Sequence, residues 1–329
     1  MPNKLLVSIF SRDRAMQLDA TLRSFYLHCQ DIQLADIRVL YRASTPGHEA
    51  QYHLLEQAYP QVNFVSEKSF REDMEGMLLS CYERVSQRRW YRFVSKVNRL
   101  LFIDHSIIAK ITRRLARLGI KLEYMHSPVP SMESHILFMV DDNLFVRQFS
   151  LQVAVQALHS VPDAIGFSLR LGRNTTYTYS LNHNQELPEF EEIGDGVLAY
   201  DWRGAQYDFN YPLEVSSSIY RAAQIMPLLA SVAFRNPNTL ESEMAARSRW
   251  FAKRFPKLLC FDTSVAFCDP VNKVQTVEAG NRAGLAHHYT VEELSERFDQ
   301  GERVDVKSYS GFCPNSCHQE VELLFTIQK

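Results

Sequence analysis

The sequence predicts an α/β protein built on a mostly parallel, doubly wound central sheet with helices on both faces. Two observations predict this class. Short apolar segments alternate with segments whose apolar residues recur at helical spacing, which is the pattern of parallel sheets. The 329 residues are 46% hydrophobic and 22% charged, a composition that is typical of globular proteins and excludes disordered and fibrous classes. The length fits one large α/β domain with insertions.

The first 80 residues alternate between strand and helix patterns. Residues 5–10 form a continuous apolar run, as expected of a strand that is buried on both faces. Apolar residues from Met16 to Tyr26 then recur at near-helical spacing. The pattern continues with predicted strands at 37–41 and 62–65, and with helices at 48–58 and from about residue 71.

A second series of elements follows residue 134 and becomes less regular after residue 169. The sequence predicts strands at 135–140, 164–169, 196–202, 213–217 and 258–268, and helices at 150–159, 221–231, 240–255 and 292–299.

The segment between these two series is strongly basic. Residues 84–121 contain eleven Lys or Arg and one acidic residue, a net charge of +10, whereas the remainder carries 25 basic and 37 acidic residues, a net charge of −12. Its apolar residues follow helical spacing, so two basic amphipathic helices are predicted within an insertion at 84–134. Three roles stay open: a solvated lid, an RNA-binding arm, or a surface helix on anionic lipid.

The strand predicted at 135–140 ends in three oxygen-bearing side chains: Asp141, Asp142 and Asn143. In open α/β sheets, ligands bind at the carboxyl ends of strands. Carboxylate and amide oxygens suit hard cations, and Mg²⁺ takes one or two carboxylates together with water and substrate phosphate. These residues are therefore predicted to bind Mg²⁺ or Mn²⁺ with a diphosphate. The alternative is a solvated turn in which Asn143 caps the following segment.

Residues 5–14, the alternation behind them and the segment at 138–143 together resemble the nucleotide-sugar half of a GT-A glycosyltransferase of the family 2 type. The resemblance covers roughly residues 3–83 and 135–285. It implies a GT-A-like (Rossmann-like) domain at 1–285, interrupted by the insertion at 84–134 and followed by a C-terminal extension at 286–329. It also implies a nucleotide-diphosphate sugar donor, with a divalent metal that binds the donor's diphosphate.

The same resemblance implies which residues bind the donor. Ser11, Arg12 and Arg14 would lie beside the nucleotide, together with Asp141 and Asp142. Arg42, in the turn after the second predicted strand, is a further donor-binding candidate.

The resemblance also implies an acceptor side at 208–218 and an acidic general base at the start of a helix. Glu241 and Glu243 fit that place if Thr239 caps the helix, and Glu241 is the preferred base because its position matches better. A base there would deprotonate the attacking hydroxyl. The alternative is that both carboxylates only complement the helix dipole.

The predicted function is transfer of a hexosyl or related group from the donor to a hydroxyl of a saccharide or lipid-linked acceptor. Inversion at the sugar carbon and a role in bacterial surface-polysaccharide or glycolipid synthesis are expected. Two other classes stay open: a metal-dependent nucleotidyltransferase that uses the same carboxylates, and a non-catalytic module that binds sugar nucleotides or membranes. A lipid-linked acceptor would agree with an anionic membrane surface bound through 84–121.

Charge and targeting signals set the expected surroundings. The net charge of −2 argues against nucleic acid as a general partner. Without a signal peptide pattern or a membrane-spanning apolar run, the expected location is cytoplasmic, at most peripheral on the inner face of the cytoplasmic membrane. The six cysteines are expected to be free thiols. Cys313, Cys317 and His318 have metal-site spacing, but no second pair completes a site, so a structural role is favoured.

Overall fold

The computed structural model describes residues 4–79, 135–274 and 282–327. The insertion predicted at 84–134 and its basic helices lie outside the described residues. Within the described ranges, no helix combines the length and the apolar character needed to cross a bilayer.

Helices and strands alternate through the first half of the described chain, as the sequence predicts. The helices are α1 (Ala15–His28), α2 (Pro46–Ala58), α3 (Phe70–Leu79), α4 (Leu151–Ser160), α5 (Ala222–Ser231), α6 (Pro237–Ala245) and α7 (Val291–Asp299). The strands are β1 (Leu5–Arg12), β2 (Ala35–Arg42), β3 (Asn63–Ser66), β4 (His135–Val140), β5 (Asn143–Phe145), β6 (Ala164–Ser168), β7 (Tyr177–Thr178), β8 (His183–Asn184), β9 (Glu191–Gly194), β10 (Val197–Asp201), β11 (Ser217–Arg221), β12 (Lys257–Phe261), β13 (Ala266–Cys268), β14 (Glu302–Val304) and β15 (Phe325–Ile327).

The described strands form one nine-stranded sheet in the order β3-β2-β1-β4-β11-β6-β12-β10-β9, with three smaller two-stranded sheets beside it. Strands β3, β2, β1 and β4 are parallel, as are β6 and β12, whereas β11 and β10 run against their neighbours. Seven of the nine strands therefore point in one direction. The predicted α/β class, with a mostly parallel central sheet flanked by helices, is confirmed.

The sheet separates two hydrophobic cores. Side chains of β1 alternate between them: Leu5, Val7 and Ile9 belong to one core, and Leu6 and Phe10 to the other. Both faces of the strand are buried because helices cover both faces of the sheet, which explains why apolar residues occupy both faces of β1.

The structure corrects three of the predicted elements in the second half. The strand expected at 213–217 lies instead at Ser217–Arg221, because the backbone before it folds around the Glu214 carboxylate, which accepts hydrogen bonds from the amides of Ser216 and Ser217. The helix expected at 240–255 is α6, which ends at Ala245 and precedes a short 3₁₀ turn. The strand expected at 258–268 is divided into β12 and β13.

The C-terminal residues pack against the same core as the first helix. Leu294 and Phe298 of α7, Val304 of β14 and Leu323 are buried in the core that contains Leu18 and Leu22 of α1. The range predicted as a C-terminal extension therefore contributes to the body of the protein through direct apolar burial.

A close approach between β6 and β11 gives a test of the sheet. A Cβ atom at Gly166 would lie 2.7 Å from Cε1 of Tyr220 and 3.1 Å from the carbonyl oxygen of Ile219. The Tyr220 ring cannot easily retreat, because its hydroxyl is bonded to the backbone of Pro212 and Glu214. We expect Gly166→Ala to lower the free energy of unfolding by about 1–3 kcal/mol, the usual range for overpacking, in urea titrations.

Gly76→Ala is the matched control for this substitution. Gly76 lies within α3, and among the described residues no atom outside the adjacent residues and the backbone of α3 lies within 4 Å of the added Cβ position. The same chemical change there should raise stability by roughly 0.4–1 kcal/mol through the unfolded chain. Equal stability of the two variants would contradict the close approach of β6 and β11.

Candidate active site

The candidate site lies where the order of the parallel strands reverses. From β1 the chain proceeds outward to β2 and β3, and β4 then pairs on the other side of β1. The carboxyl ends of β1 and β4 are therefore adjacent, and a crevice opens between them, as is general for open α/β sheets. A cleft of about 610 Å³ occupies this place, a volume typical of small-molecule sites.

The cleft brings together most residues that the sequence analysis selected. Those that line it are Ser11, Arg12, Arg14, Arg42, Asp141, Asp142 and Glu241. Asn143 and Glu243 do not line it. Asn272, Lys273 and Arg282 also line the cleft, on the loop after β13.

Asp141 is the buried centre of the first wall. Its carboxylate accepts hydrogen bonds from the hydroxyl of Ser11 at 2.9 Å, from the amide of Arg12 at 3.2 Å and from Nη1 of Arg14 at 3.1 Å. Burial raises the pKa of Asp141 to about 6, against the opposing effect of Arg14. The carboxylate is held by the end of β1 and the first turn of α1, whose positive dipole end also favours a negative charge.

Arg14 joins the two adjacent aspartates. Its Nη1 lies 3.1 Å from Oδ1 of Asp141 and 3.3 Å from Oδ2 of Asp142, and Nη2 donates to the carbonyl of Asn272 at 2.5 Å. Gln17 in turn donates to the side chain of Asn272 at 3.2 Å. The positive charge that two neighbouring carboxylates need is therefore supplied by the protein itself.

Asn143 lies behind the cleft. Its side chain is fully buried, its amide nitrogen donates to the carbonyl of Ser216, and its oxygen accepts from the thiol of Cys268 at 2.9 Å. Both ends of the amide are thus used in linking the ends of β5, β11 and β13, so the amide predicted as a metal ligand is occupied by protein partners.

The donor set for a metal therefore reduces to the carboxylates. Among the described residues, no group of three or more His, Cys, Asp or Glu side chains is arranged to hold an ion. Oδ1 of Asp142 is buried and has no hydrogen-bond partner in the same part of the chain. An unpaired carboxylate oxygen beside a second aspartate fits the sparse protein ligation of Mg²⁺, which relies on water and phosphate for the other positions.

Two further cations lie at the rim of the same wall. The side chains of Arg12 and Arg42 are 47% and 57% exposed, and their nearest carboxylates, Asp13 and Glu67, are 3.5 and 3.6 Å away. Exposed ion pairs of this length are weak, so both guanidinium groups are able to exchange these partners for an anionic ligand.

Glu241 lines the same cleft and is carried by α6. Its Oε2 accepts from the amide of Val215 at 2.9 Å, and its Oε1 accepts from the hydroxyl of Tyr211 at 3.3 Å. Burial and the neighbouring Glu214 raise the pKa of Glu241 to about 7. A carboxylate with such a pKa is suited to accept a proton near neutral pH.

Glu243 is directed elsewhere. It forms an ion pair of 2.6 Å with Arg247, one turn later. The helix also begins earlier than expected: Asn236 is the N-cap, Pro237 follows it, and the hydroxyl of Thr239 closes a capping box. Glu241 therefore lies beyond the first turn, so interaction with the helix dipole does not account for its position.

The floor of the cleft contains a buried charge cluster that the sequence analysis did not identify. Arg170 donates to Glu214 at 3.0 Å and contacts the thiol of Cys268 at 3.1 Å and Nε2 of His318 at 3.3 Å. Burial and the Arg170 charge lower the pKa of His318 to about 3, so the neutral ring accepts from Arg170. The position of Arg170, directly after β6, was the available signal, because it shares the carboxyl edge of the sheet with Asp141.

Comparison with known proteins agrees with these features. The bifunctional glycosyltransferase pgtA of Dictyostelium discoideum is 24% identical over 244 residues, which are 70% of this chain and 25% of that protein. The chain resembles a glycosyltransferase. The resemblance inferred from the sequence is thereby confirmed, while the chain spans only about a quarter of this relative's length. The chain matches no protein-family model.

Solved structures give weaker similarity. A 4-diphosphocytidyl-2C-methyl-D-erythritol synthase has a TM-score of 0.30 at 12% identity, covering 76% of this chain and 86% of that chain. Mouse xyloside xylosyltransferase 1, in its apo form, has a TM-score of 0.29 at 9% identity, covering 74% of this chain and 80% of that one. The fold assignment accordingly follows from the sheet topology described above.

The ion pairs of Arg14 give a test of the first wall. Arg14→Met leaves two neighbouring carboxylates without their buried counter-charge, a loss that costs about 3–5 kcal/mol in comparable pairs. We expect the free energy of unfolding to fall by that order at pH 8. The fall should be smaller at pH 5, because Asp141, whose pKa is already raised and rises further without Arg14, then binds a proton in the folded state.

Arg203→Met is the matched control, since the ion pair between Arg203 and Asp201 is exposed to solvent. Its stability should equal that of the wild type at both pH values. If Arg14→Met is as stable as the wild type, the role of Arg14 as counter-charge is refuted. If that variant does not fold, Arg14→Lys, which keeps the charge and loses the bridging geometry, is expected to give an intermediate stability.

Proposed function

We propose that this protein is a glycosyltransferase that moves a sugar from a nucleotide-diphosphate donor to a hydroxyl of a saccharide or glycolipid acceptor. The observation that supports it most is that one cleft has two chemically different walls. One wall carries Asp142 and the cations Arg12 and Arg42, and the other carries Glu241 with a raised pKa. This reaction requires positively charged groups that bind the diphosphate and a carboxylate that accepts the proton of the hydroxyl.

In the proposed donor site, Arg12 and Arg42 bind the diphosphate, and Ser11 and Arg14 hold Asp141 in place. Asp142 and Asp141 are the residues that would hold a divalent ion, Mn²⁺ or Mg²⁺. Such an ion would stabilise the negative charge on the departing diphosphate. Asn143 has a positioning role in this proposal, since the hydrogen bonds of its side-chain amide hold the segment that follows both aspartates.

In the proposed reaction, the acceptor hydroxyl attacks the anomeric carbon and gives its proton to Glu241. The new carbon–oxygen bond forms as the bond to the diphosphate breaks, and that bond's electron pair leaves with the nucleoside diphosphate. A single displacement with Glu241 as the base predicts inversion at the anomeric carbon. The amide of Val215 and the hydroxyl of Tyr211 orient the Glu241 carboxylate.

The proposed base predicts a specific pair of variants. Glu241→Gln should reduce transfer by at least about a hundredfold, the lower range for general base catalysis, while nucleoside diphosphate binding stays unchanged. Glu243→Gln is the matched control and should retain wild-type turnover, because Glu243 pairs with Arg247 outside the cleft. Turnover is measured as nucleoside diphosphate release from a panel of nucleotide sugars. If no nucleotide sugar releases a nucleoside diphosphate, and a nucleoside triphosphate supplied with a sugar phosphate releases pyrophosphate, the nucleotidyltransferase alternative is favoured.

The same base predicts a pH dependence. Because Glu241 must be deprotonated to act, turnover should rise with pH through about 7. Tyr211→Phe removes a hydrogen bond that favours the charged carboxylate, so the midpoint of this rise should shift upward. A profile without a transition between pH 6 and 8 in the wild type would contradict the assignment of Glu241.

The proposed metal site predicts a separate effect on binding. Asp142→Ala should remove the Mn²⁺ dependence of the thermal shift that a nucleoside diphosphate produces, because it deletes the unpaired carboxylate oxygen of Asp142. Asp262→Ala, at an exposed aspartate that does not line the cleft, serves as the control. If the wild type shows the same nucleotide shift with Mn²⁺ and with a chelator, the metal proposal is wrong.

A further inference from the structure

The lip of the cleft beside Glu241 is formed by exposed aromatic side chains. Tyr207 is 41% exposed and Tyr211 is 39% exposed, although both are large and both line the cleft. They belong to one short segment, the 3₁₀ turn at Tyr207–Asn210 and the residue that ends it. Exposed aromatic residues gathered at the mouth of a cavity indicate a binding surface.

This segment is held rigidly from below. The buried Asp208 accepts from the hydroxyl of Thr178 at 3.0 Å, and its amide donates to the side chain of Gln185 at 3.1 Å. Gln185 is itself buried and donates to the carbonyl of Thr175 at 3.0 Å. The network fastens the backbone of the turn to β7 and to the residue after β8, and this backbone carries the two tyrosines.

The backbone of the segment also carries strain. Tyr207 has φ of +41°, in a region that residues with bulky side chains rarely adopt. Its ring stacks on that of His183 at 6.0 Å and an interplanar angle of 26°. Strained residues persist only where surrounding contacts determine them, and they concentrate at functional sites. Here the hydrogen bonds of Asp208 are the contacts that hold Tyr207 in this conformation.

The second tyrosine, Tyr211, contacts the proposed base. The hydroxyl of Tyr211 donates to Glu241 at 3.3 Å, so any ligand resting against this ring lies next to the carboxylate. Asn236, Asn238 and Ser242 also line the cleft and provide amide and hydroxyl groups, next to the exposed guanidinium of Arg235. The lining thus combines aromatic side chains with several hydrogen-bonding groups.

We infer that Tyr207 and Tyr211 form a platform for the acceptor, and that the acceptor is a pyranoside. A pyranose ring has an apolar face of C–H groups and a rim of hydroxyls, which match an aromatic face and its neighbouring amide and hydroxyl side chains. Tyrosine is suited to this task because it provides a large amphipathic surface at low cost in side-chain entropy. This inference deepens the proposed function and rests on Glu241 as the base.

Saturation-transfer NMR with free methyl pyranosides tests the platform without the donor. The probes are the methyl glycosides of β-glucose, β-galactose, α-mannose and β-N-acetylglucosamine. At least one should bind the wild type. The double variant Tyr207→Ala/Tyr211→Ala should weaken its affinity by at least about tenfold, as expected for aromatic residues at the centre of a binding surface. Trp250→Ala, at an exposed aromatic residue outside the cleft, is the control and should bind like the wild type.

A conservative variant and a second ligand make the outcomes distinguishable. Tyr211→Phe keeps the ring and should retain glycoside affinity within about threefold. Nucleoside diphosphate binding, followed by thermal shift, should be equal in the wild type and the double variant, which also shows that the variant is folded. If none of the four glycosides binds, or if the double variant binds them like the wild type, the platform is refuted. If glycoside binding follows the tyrosines while no nucleoside diphosphate binds, the proposed transferase fails and the platform stands.

Discussion

Two adjacent carboxylates at the end of a central strand impose the constraint on which this cleft depends. A buried charge is tolerated only when it is paired and hydrogen-bonded. Asp141 meets that requirement through Ser11 and the Arg12 amide at the end of β1 and through Arg14 just after it. These donors reach it because β1 and β4 are parallel neighbours with aligned carboxyl ends. The pairing of two strands thus determines the geometry of the proposed donor site.

The carboxylate of Glu241 has fewer partners than its neighbour Glu214, and this difference supports the proposed role of Glu241 as the base. Glu214 is buried, accepts hydrogen bonds from two backbone amides and from the Ser218 hydroxyl, and pairs with Arg170. Within the described residues, Glu241 accepts hydrogen bonds from one amide and one tyrosine hydroxyl. Burial, together with the neighbouring Glu214, raises the pKa of Glu241 to about 7.

The C-terminal residues complete the cleft from a distant part of the chain. His318 contacts Arg170 in the floor, and Glu320 accepts hydrogen bonds from the amides of residues 285–287. The hydroxyl of Tyr179 also donates to Glu320. The C-terminal segment therefore fixes both the floor of the cleft and the loop that follows β13. This explains why Cys317 and His318, which have metal-site spacing in the sequence, serve as packing and hydrogen-bonding partners of Arg170.

The sequence by itself determined the α/β class and the place of the site. Largely apolar segments such as 5–10 and 135–140 predicted buried parallel strands, and the polar residues directly after them predicted the edge of the sheet at which the candidate site lies, because side-chain periodicity and strand-end chemistry are local properties. Tertiary structure decided which of those side chains face the cleft. The side chain of Asn143 bonds to Ser216 and Cys268, which are distant in the sequence. The side chain of Glu243 pairs with Arg247, one helical turn later. Arg170, Glu214 and His318 come together only when β6, the loop before β11 and the C-terminal segment pack side by side, and no local pattern in the sequence records that contact.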